Sequence, residues 1–159
     1  GKYWEDNVAK FVGNDKGHVR WQRLNNGSYD PNPDDTSLSK YVSRTFYAVK
    51  PGKLMHFRRL MYRMSKVAEK RGWDGRSLYR LYSGGNRNLF VQTAGFDTYK
   101  RAEQDNAEPD TTAEQDYNQM FGRGSWEEDW ENFDASLEYW GIQRDLMQLV
   151  PEMSTGMMN

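Results

Sequence analysis

Cysteine is absent from this chain of 159 residues, and its absence excludes three kinds of chemistry. Without thiols there can be no disulfide, no thiolate metal site and no cysteine nucleophile. Histidine is nearly absent too, since His18 and His56 are the only two. No apolar run approaches the roughly 18 residues that a membrane-spanning helix needs, so no membrane span is predicted.

Excess charge of either sign is also missing. The chain has 23 acidic and 22 basic side chains, which leave a net charge of −1. A balanced chain has little long-range attraction for nucleic acid, so no nucleic-acid partner is expected. Aromatic residues, in contrast, make up 14% of the sequence and include six tryptophans, which predicts a core built largely from rings.

The clearest pattern lies in residues 41–73. β-Branched and aromatic residues predict a strand, which Lys50-Pro51-Gly52 ends. Apolar residues then recur at helical spacing, namely Leu54, Phe57, Leu60, Met61, Met64, Val67 and Ala68. This spacing predicts a long helix with one buried stripe and a basic outer face.

The rest of the main unit follows from shorter signals. Strands are predicted over residues 77–83 and 88–94, joined by a hairpin turn at Gly84-Gly85-Asn86. A short helical piece is expected near Asp97, and the acidic residues 104–115 are predicted to be a loop. Ser125 and Glu128 match a capping box. Residues at helical spacing follow it, namely Trp126, Trp130, Phe133, Leu137 and Trp140.

These signals predict a second helix that Gly141 ends, and a last strand over residues 142–150. The order is then β-α-β-β-α-β, which indicates a ferredoxin-like α+β sandwich with its first and third strands central. Both helices should cover one face of an antiparallel sheet. Residues 103–134 hold eleven acids against one base, so the second helix region should face the basic first helix favourably.

We expect three regions: an N-terminal arm of residues 1–40, the ferredoxin-like domain of 41–154, and a frayed tail of 155–159. The arm should contain a helix over 2–12, a strand within 17–24 and a loop over 25–39. Asp30 to Asp35 resemble the start of a calcium loop but lack its glycine and final glutamate, so a turn is preferred. Asn26-Gly27-Ser28 fits a glycosylation acceptor, and here too a turn is preferred. No metal and no cofactor is predicted.

The segment YAVKPGKLMHF, the tryptophan-rich helix and the terminal LMQLVPEMS resemble the NIPSNAP-type and related dimeric α+β barrel families. That group includes the small antibiotic-biosynthesis monooxygenases. The resemblance implies a homodimer that binds a small molecule, with cofactor-independent oxygenase-like chemistry as one expectation. It carries over no catalytic residue, so whether the chain is an enzyme is left open.

Strand alternation predicts which side chains face away from the helices. Tyr47, Val49, Tyr79, Leu81, Leu89, Val91, Met147 and Leu149 are expected beneath the helices. The opposite face should then hold six candidate ligand-binding residues, namely Arg44, Arg80, Tyr82, Phe90, Gln92 and Arg144. Three arginines beside aromatic rings predict an anionic or aromatic small-molecule ligand, because Asp145 is expected to point to the other face. A dimer interface is the equally ranked interpretation of this surface.

A homodimer is predicted because Phe46, Tyr82, Phe90 and Leu146 would otherwise expose a large apolar patch. The rival hypothesis is a non-catalytic interaction or carbohydrate-binding domain of an exported protein, with the tryptophans of the second helix as a sugar platform. At helical spacing such a stripe is more often core. The start at Gly1-Lys2 suggests a trimmed end, which favours an exported or periplasmic location.

Overall fold

The computed structural model describes residues 19–35, 37–98 and 111–150. In these residues it has five strands, namely β1 Arg20–Arg23, β2 Tyr41–Val49, β3 Ser77–Ser83, β4 Leu89–Phe96 and β5 Leu137–Gln148. Three α-helices accompany them, namely α1 Leu54–Arg71, α2 Ala113–Phe121 and α3 Ser125–Ser136, and a 3-10 turn covers Asn25–Gly27. The predicted helix over 2–12, residues 99–110 and the predicted tail lie outside the described residues.

The strands form one antiparallel sheet in the order β1-β3-β4-β2-β5. Strands β2 and β4 are therefore central, as the sequence predicts for the first and third strands of the main unit. Strand β1, from the predicted arm, adds to the outer edge of β3. The chain is thus α+β with an arrangement compatible with a ferredoxin-like fold.

Both α1 and α3 pack on the same face of the sheet through aromatic rings. The ring of Phe57 in α1 lies 4.5 Å from that of Phe90 in β4. The ring of Phe133 in α3 lies 5.8 Å from Tyr47 in β2 and 5.7 Å from Phe57. We call this the helix side of the sheet, and the opposite surface the open face. The predicted stripe of α1 is confirmed, because Phe57, Leu60, Met61, Val67 and Ala68 are buried.

Helix α3 ends four residues earlier than predicted. Leu137 already belongs to β5, where it pairs with Val49, and the Lys50 N–H donates to the Ser136 carbonyl. A side chain at Gly141 would meet the carbonyl oxygen of Glu138 at 2.6 Å and that of Ala48 at 3.0 Å. Gly141 therefore allows a close backbone contact within β5 and does not end the helix.

The predicted capping box at Ser125 is wrong. Gly124, with φ 79°, occupies the N-cap position, and the Ser125 hydroxyl donates to the Phe121 carbonyl. A capping box does occur one helix earlier, at Thr112 and Gln115, and it starts α2 inside the segment predicted to be a loop. The Gln115 N–H donates to Thr112 Oγ1, and the Thr112 N–H donates to Gln115 Oε1.

Two buried carboxylates join the basic helix α1 to the acidic helices. Asp116 of α2 accepts from Lys70 Nζ at 2.8 Å and from Arg71 Nη1 at 2.7 Å. Asp129 of α3 accepts from Arg63 Nη1 at 2.6 Å and from the Tyr117 hydroxyl at 2.5 Å. The attraction between helices of opposite charge that the sequence predicts is thus partly buried, where it contributes more than at an exposed surface.

Candidate functional site

The six predicted ligand-binding residues do not share one face of the sheet. Residues directly opposite in antiparallel strands have side chains on the same face. Phe90 is opposite Tyr47 and touches α1, so it lies on the helix side. Arg80 is opposite Phe90, and Gln92 approaches Met61 of α1.

Arg144 is displaced in the same way. Tyr82 lies at a β-bulge, because Arg20 pairs with Ser83 and Trp21 with Leu81, so alternation does not fix its face. Arg144 is opposite Thr45, which alternates with Tyr47 on the helix side. Arg44 lies on the open face, and the predicted assignment of Arg80, Phe90, Gln92 and Arg144 to that face is wrong.

Arg44 is already paired on the open face. Its Nη2 lies 2.6 Å from Asp145 Oδ2, and its Nε donates to Asp145 Oδ1 at 2.8 Å. Hydrogen bonding between the two side chains raises the pKa of Arg44 and lowers that of Asp145. The prediction that Asp145 points away was wrong, because β5 has the opposite alternation. The cluster of three arginines expected on this face does not form.

The open face is instead lined mainly by apolar residues. Trp21 of β1 contacts the ring of Phe46 edge-on at 6.5 Å between centroids. Leu81, which pairs with Trp21, and Val91, which pairs with Phe46, are only 4% and 6% exposed. Strand β1 therefore helps to cover the part of the open face formed by β3 and β4.

A polar cleft of about 480 Å³ lies at one end of the open face, between the loop that follows the 3-10 turn and strands β3 and β4. Its lining residues are Tyr29, Asp30, Pro31, Asn32, Asp35, Ser37, Ser39, Gly75, Arg76, Ser77, Tyr79, Thr93 and Gly95. None of the six predicted ligand-binding residues is among them. We call this the polar cleft.

Backbone contacts fix the loop beside the polar cleft. Tyr29 and Arg76 exchange two backbone hydrogen bonds, of 2.9 and 2.7 Å. A side chain at Gly75 would crowd Pro31 at 3.1 Å, and one at Gly95 would collide with the Ser39 hydroxyl. Glycine at these positions lets the loop approach the strands closely. The walls of the cleft are therefore held in place by contacts within the chain.

The two aspartates of the cleft serve as turn residues. Asp30 Oδ1 accepts from the Asn32 N–H at 3.2 Å, and Asp35 Oδ1 accepts from the Ser37 N–H at 2.8 Å. The hydrogen bond from the Ser37 backbone lowers the pKa of Asp35. The turn that the sequence favoured over a calcium loop is confirmed at these positions. Within the described residues, no three metal-ligating side chains come together.

Chemically, the polar cleft offers hydroxyl donors, carboxylate acceptors and one guanidinium, which suits a ligand with several hydroxyl groups. Sequence reasoning missed it because residues 25–39 looked like a linker. The clue was the spacing of Asp30, Asn32 and Asp35, which predicts a folded turn rather than an extended chain.

Comparison with known proteins supplies no family. No protein-family model matches the chain, and a search of curated proteins likewise finds no match. Among the described helices, none is both long and apolar enough to cross a membrane.

Proposed function

We propose that this chain is a small-molecule-binding protein and that its polar cleft holds a ligand rich in hydroxyl groups. The observation that carries the proposal is the fixed loop, which forms the cleft walls through the Tyr29–Arg76 backbone pair. A preformed site costs less ordering entropy on binding than a flexible one. Its volume of about 480 Å³ suits a small ligand.

The same proposal includes a homodimer of the dimeric α+β barrel type, with the NIPSNAP-like resemblance as its background. The ferredoxin-like strand order supports it, as does the free edge that β5 presents within the described part of the chain. Strand β5 leaves Leu146 and Met147 46% and 40% exposed on its two faces. A second copy against the open face and this edge would cover Met147 and part of β5.

The rival carbohydrate-binding hypothesis requires a site other than the tryptophans of α3. Trp126, Trp130 and Phe133 pack on one another and against the core, with successive ring centroids 5.5 Å apart. They do not form a displayed platform on α3. A sugar, as a hydroxyl-rich molecule, would fit the polar cleft instead, whose lining includes Tyr29 and Tyr79.

The ligand proposal is tested by NMR titration with a panel of monosaccharides, polyols and simple amino sugars. We expect at least one to shift the backbone signals of Tyr29, Arg76 and Thr93. The variant Tyr79→Phe, which removes one hydroxyl, should weaken that binding about fivefold. Ser83→Ala, on the same strand but outside the cleft, is the matched control. A panel that leaves these signals unmoved would refute a hydroxyl-rich ligand.

The dimer proposal has a separate test. Light scattering at micromolar concentration should give about twice the chain mass of 18.7 kDa. The variant Met147→Asp should restore the monomer, because it places a charge at the proposed contact. A wild-type monomer over this concentration range would contradict the dimeric barrel type.

A further inference from the structure

A second groove lies on the helix side of the sheet, away from the polar cleft. It has a volume of about 820 Å³ and runs between α1 and the 3-10 turn Asn25–Gly27. The lining residues are Arg23, Leu24, Asn25, Asn26, Met55, Arg58, Arg59, Tyr62 and Leu78. We call it the arginine groove. The predicted ligand-binding set contains none of these residues.

The turn that forms one wall is held tightly to β3. The Leu24 N–H donates to the Leu78 carbonyl at 2.8 Å, and the Leu78 N–H donates to Ser28 Oγ at 2.9 Å. The Ser28 hydroxyl donates in turn to the Leu24 carbonyl. A side chain at Gly27 would meet Leu78 Cδ2 at 2.6 Å, so a larger residue would require Leu78 to move. These hydrogen bonds hold this wall of the groove against the sheet.

Helix α1 supplies the other wall, with apolar and cationic side chains on one helical face. Met55, Arg58, Arg59 and Tyr62 follow the spacing i, i+3, i+4 and i+7, which brings them together. Met55 is 71% exposed and Tyr62 is 43% exposed, so both stand outside the core. Large apolar side chains beside weakly compensated cations mark a surface that no other described residue covers.

The cations of this groove have little internal compensation. Within the described residues Arg58 has no ion pair and no hydrogen bond from its side chain. Arg59 has one distant contact, 3.6 Å from Asp129 Oδ1, and Arg63 already binds that carboxylate at 2.6 Å.

More positive charge lies next to Arg58. Burial of the Arg80 guanidinium is the main cause that lowers the pKa of Arg80, and repulsion from Arg58 and Arg87 lowers it further. Arg80 donates from Nε to the Arg87 carbonyl, and its guanidinium lies 5.7 Å from the Phe90 ring centroid. An anion beside Arg58 would therefore relieve repulsion within this group as well as gain new hydrogen bonds.

We propose that the arginine groove binds an organic anion that has one acidic head group and a flat apolar body. The head group contacts the guanidiniums of Arg58 and Arg59, and the body lies against Met55, Tyr62 and Leu78. The volume falls in the range of small-molecule sites, which favours such a ligand over an acidic peptide. This site is independent of the polar cleft, so either can fail without the other.

The probe for this site is 2-naphthoate, with 2-naphthalenemethanol as its uncharged counterpart. In NMR titrations of the full chain, naphthoate should shift the signals of Met55, Arg58 and Tyr62, and the alcohol should bind at least about tenfold more weakly. Shifts confined to the polar cleft, or equal binding of the two probes, would overturn the proposal.

Variants then locate the charge. Arg58→Gln should weaken naphthoate binding about tenfold, and Met55→Gln about fivefold. Lys66→Gln is the matched control, because it removes the same charge from the same helix at a position outside the groove. An equal loss in Lys66→Gln would show general attraction to a basic helix and would refute a site. Binding of a glutamate-rich peptide as tight as that of naphthoate would refute the small-molecule ligand in favour of an acidic peptide.

Discussion

The two flanks of helix α1 carry similar cations but meet different surroundings. On the flank toward α2 and α3, Arg63, Lys70 and Arg71 bind carboxylates that are almost fully buried. On the flank toward the 3-10 turn, Arg58 faces other arginines and no acid within the described residues. Basic residues on the same helix can therefore have different roles. Paired cations hold elements together, whereas unpaired ones leave attraction available for a ligand.

The paired flank should respond most strongly to loss of its deepest acid. Asp129→Ala leaves the buried Tyr117 hydroxyl and the Arg63 guanidinium without their shared acceptor. We expect a loss of about 3 kcal/mol in the free energy of unfolding, measured by urea denaturation. Glu131→Ala, which is exposed on the same helix, should stay within about 0.5 kcal/mol. Similar values for both variants would show that the buried pairing contributes nothing special.

Acid should weaken the same flank through Asp116. Hydrogen bonds from Lys70 and Arg71 lower its pKa from 3.8 to about 2. The folded state therefore favours the carboxylate, and this stabilisation is present above about pH 4 and disappears as the pH falls through 2. Asp116→Asn should cost about 1–2 kcal/mol at neutral pH, and this difference should shrink as the pH falls through 2 and be nearly gone about one pH unit lower. Urea unfolding of both proteins across this range measures the difference, and a constant difference would contradict the assignment.

The N-terminal cap of α2 is expected to stabilise the helix that carries Asp116. Thr112→Ala removes the side-chain acceptor of the Gln115 N–H and should cost about 1 kcal/mol. Ser125→Ala should cost less than about 0.5 kcal/mol, because its hydroxyl caps no N–H of α3. Thermal unfolding of the two variants compares them directly. A larger loss for Ser125→Ala would reinstate the capping box that the sequence predicted.

Prediction from sequence succeeded where one side of an element is apolar. Helix α1 has a single apolar stripe, and in β2 the buried residues Tyr47 and Val49 alternate with Arg44 and Phe46, which face away from the helices. The burial of the α1 stripe and of Tyr47 and Val49 was predicted correctly. The strand order followed from the order of the elements along the chain.

Prediction failed where both faces of a strand are apolar or both are exposed. In β4 the neighbours Phe90 and Val91 are both buried, on opposite faces, so alternation alone could not choose between them. In β5 most side chains are exposed, and its sequence therefore encodes no preferred face. The predicted alternation of β3 and β5 was out of phase by one residue, which placed Arg80 and Arg144 on the wrong face of the sheet. The polar cleft and the arginine groove both depend on residues 24–35, which are held in place by contacts with residues 75–78, far away in the sequence.

The most direct test of the difference between the flanks compares Arg63→Gln with Arg58→Gln. Each variant removes one guanidinium from α1, and urea unfolding at neutral pH measures the change in free energy. Arg63→Gln should lose about 2 kcal/mol, because it leaves Asp129 with a single close partner. Arg58→Gln should stay within about 0.5 kcal/mol of the wild type. Equal losses, or a larger loss for Arg58→Gln, would contradict the division into a structural flank and a binding flank.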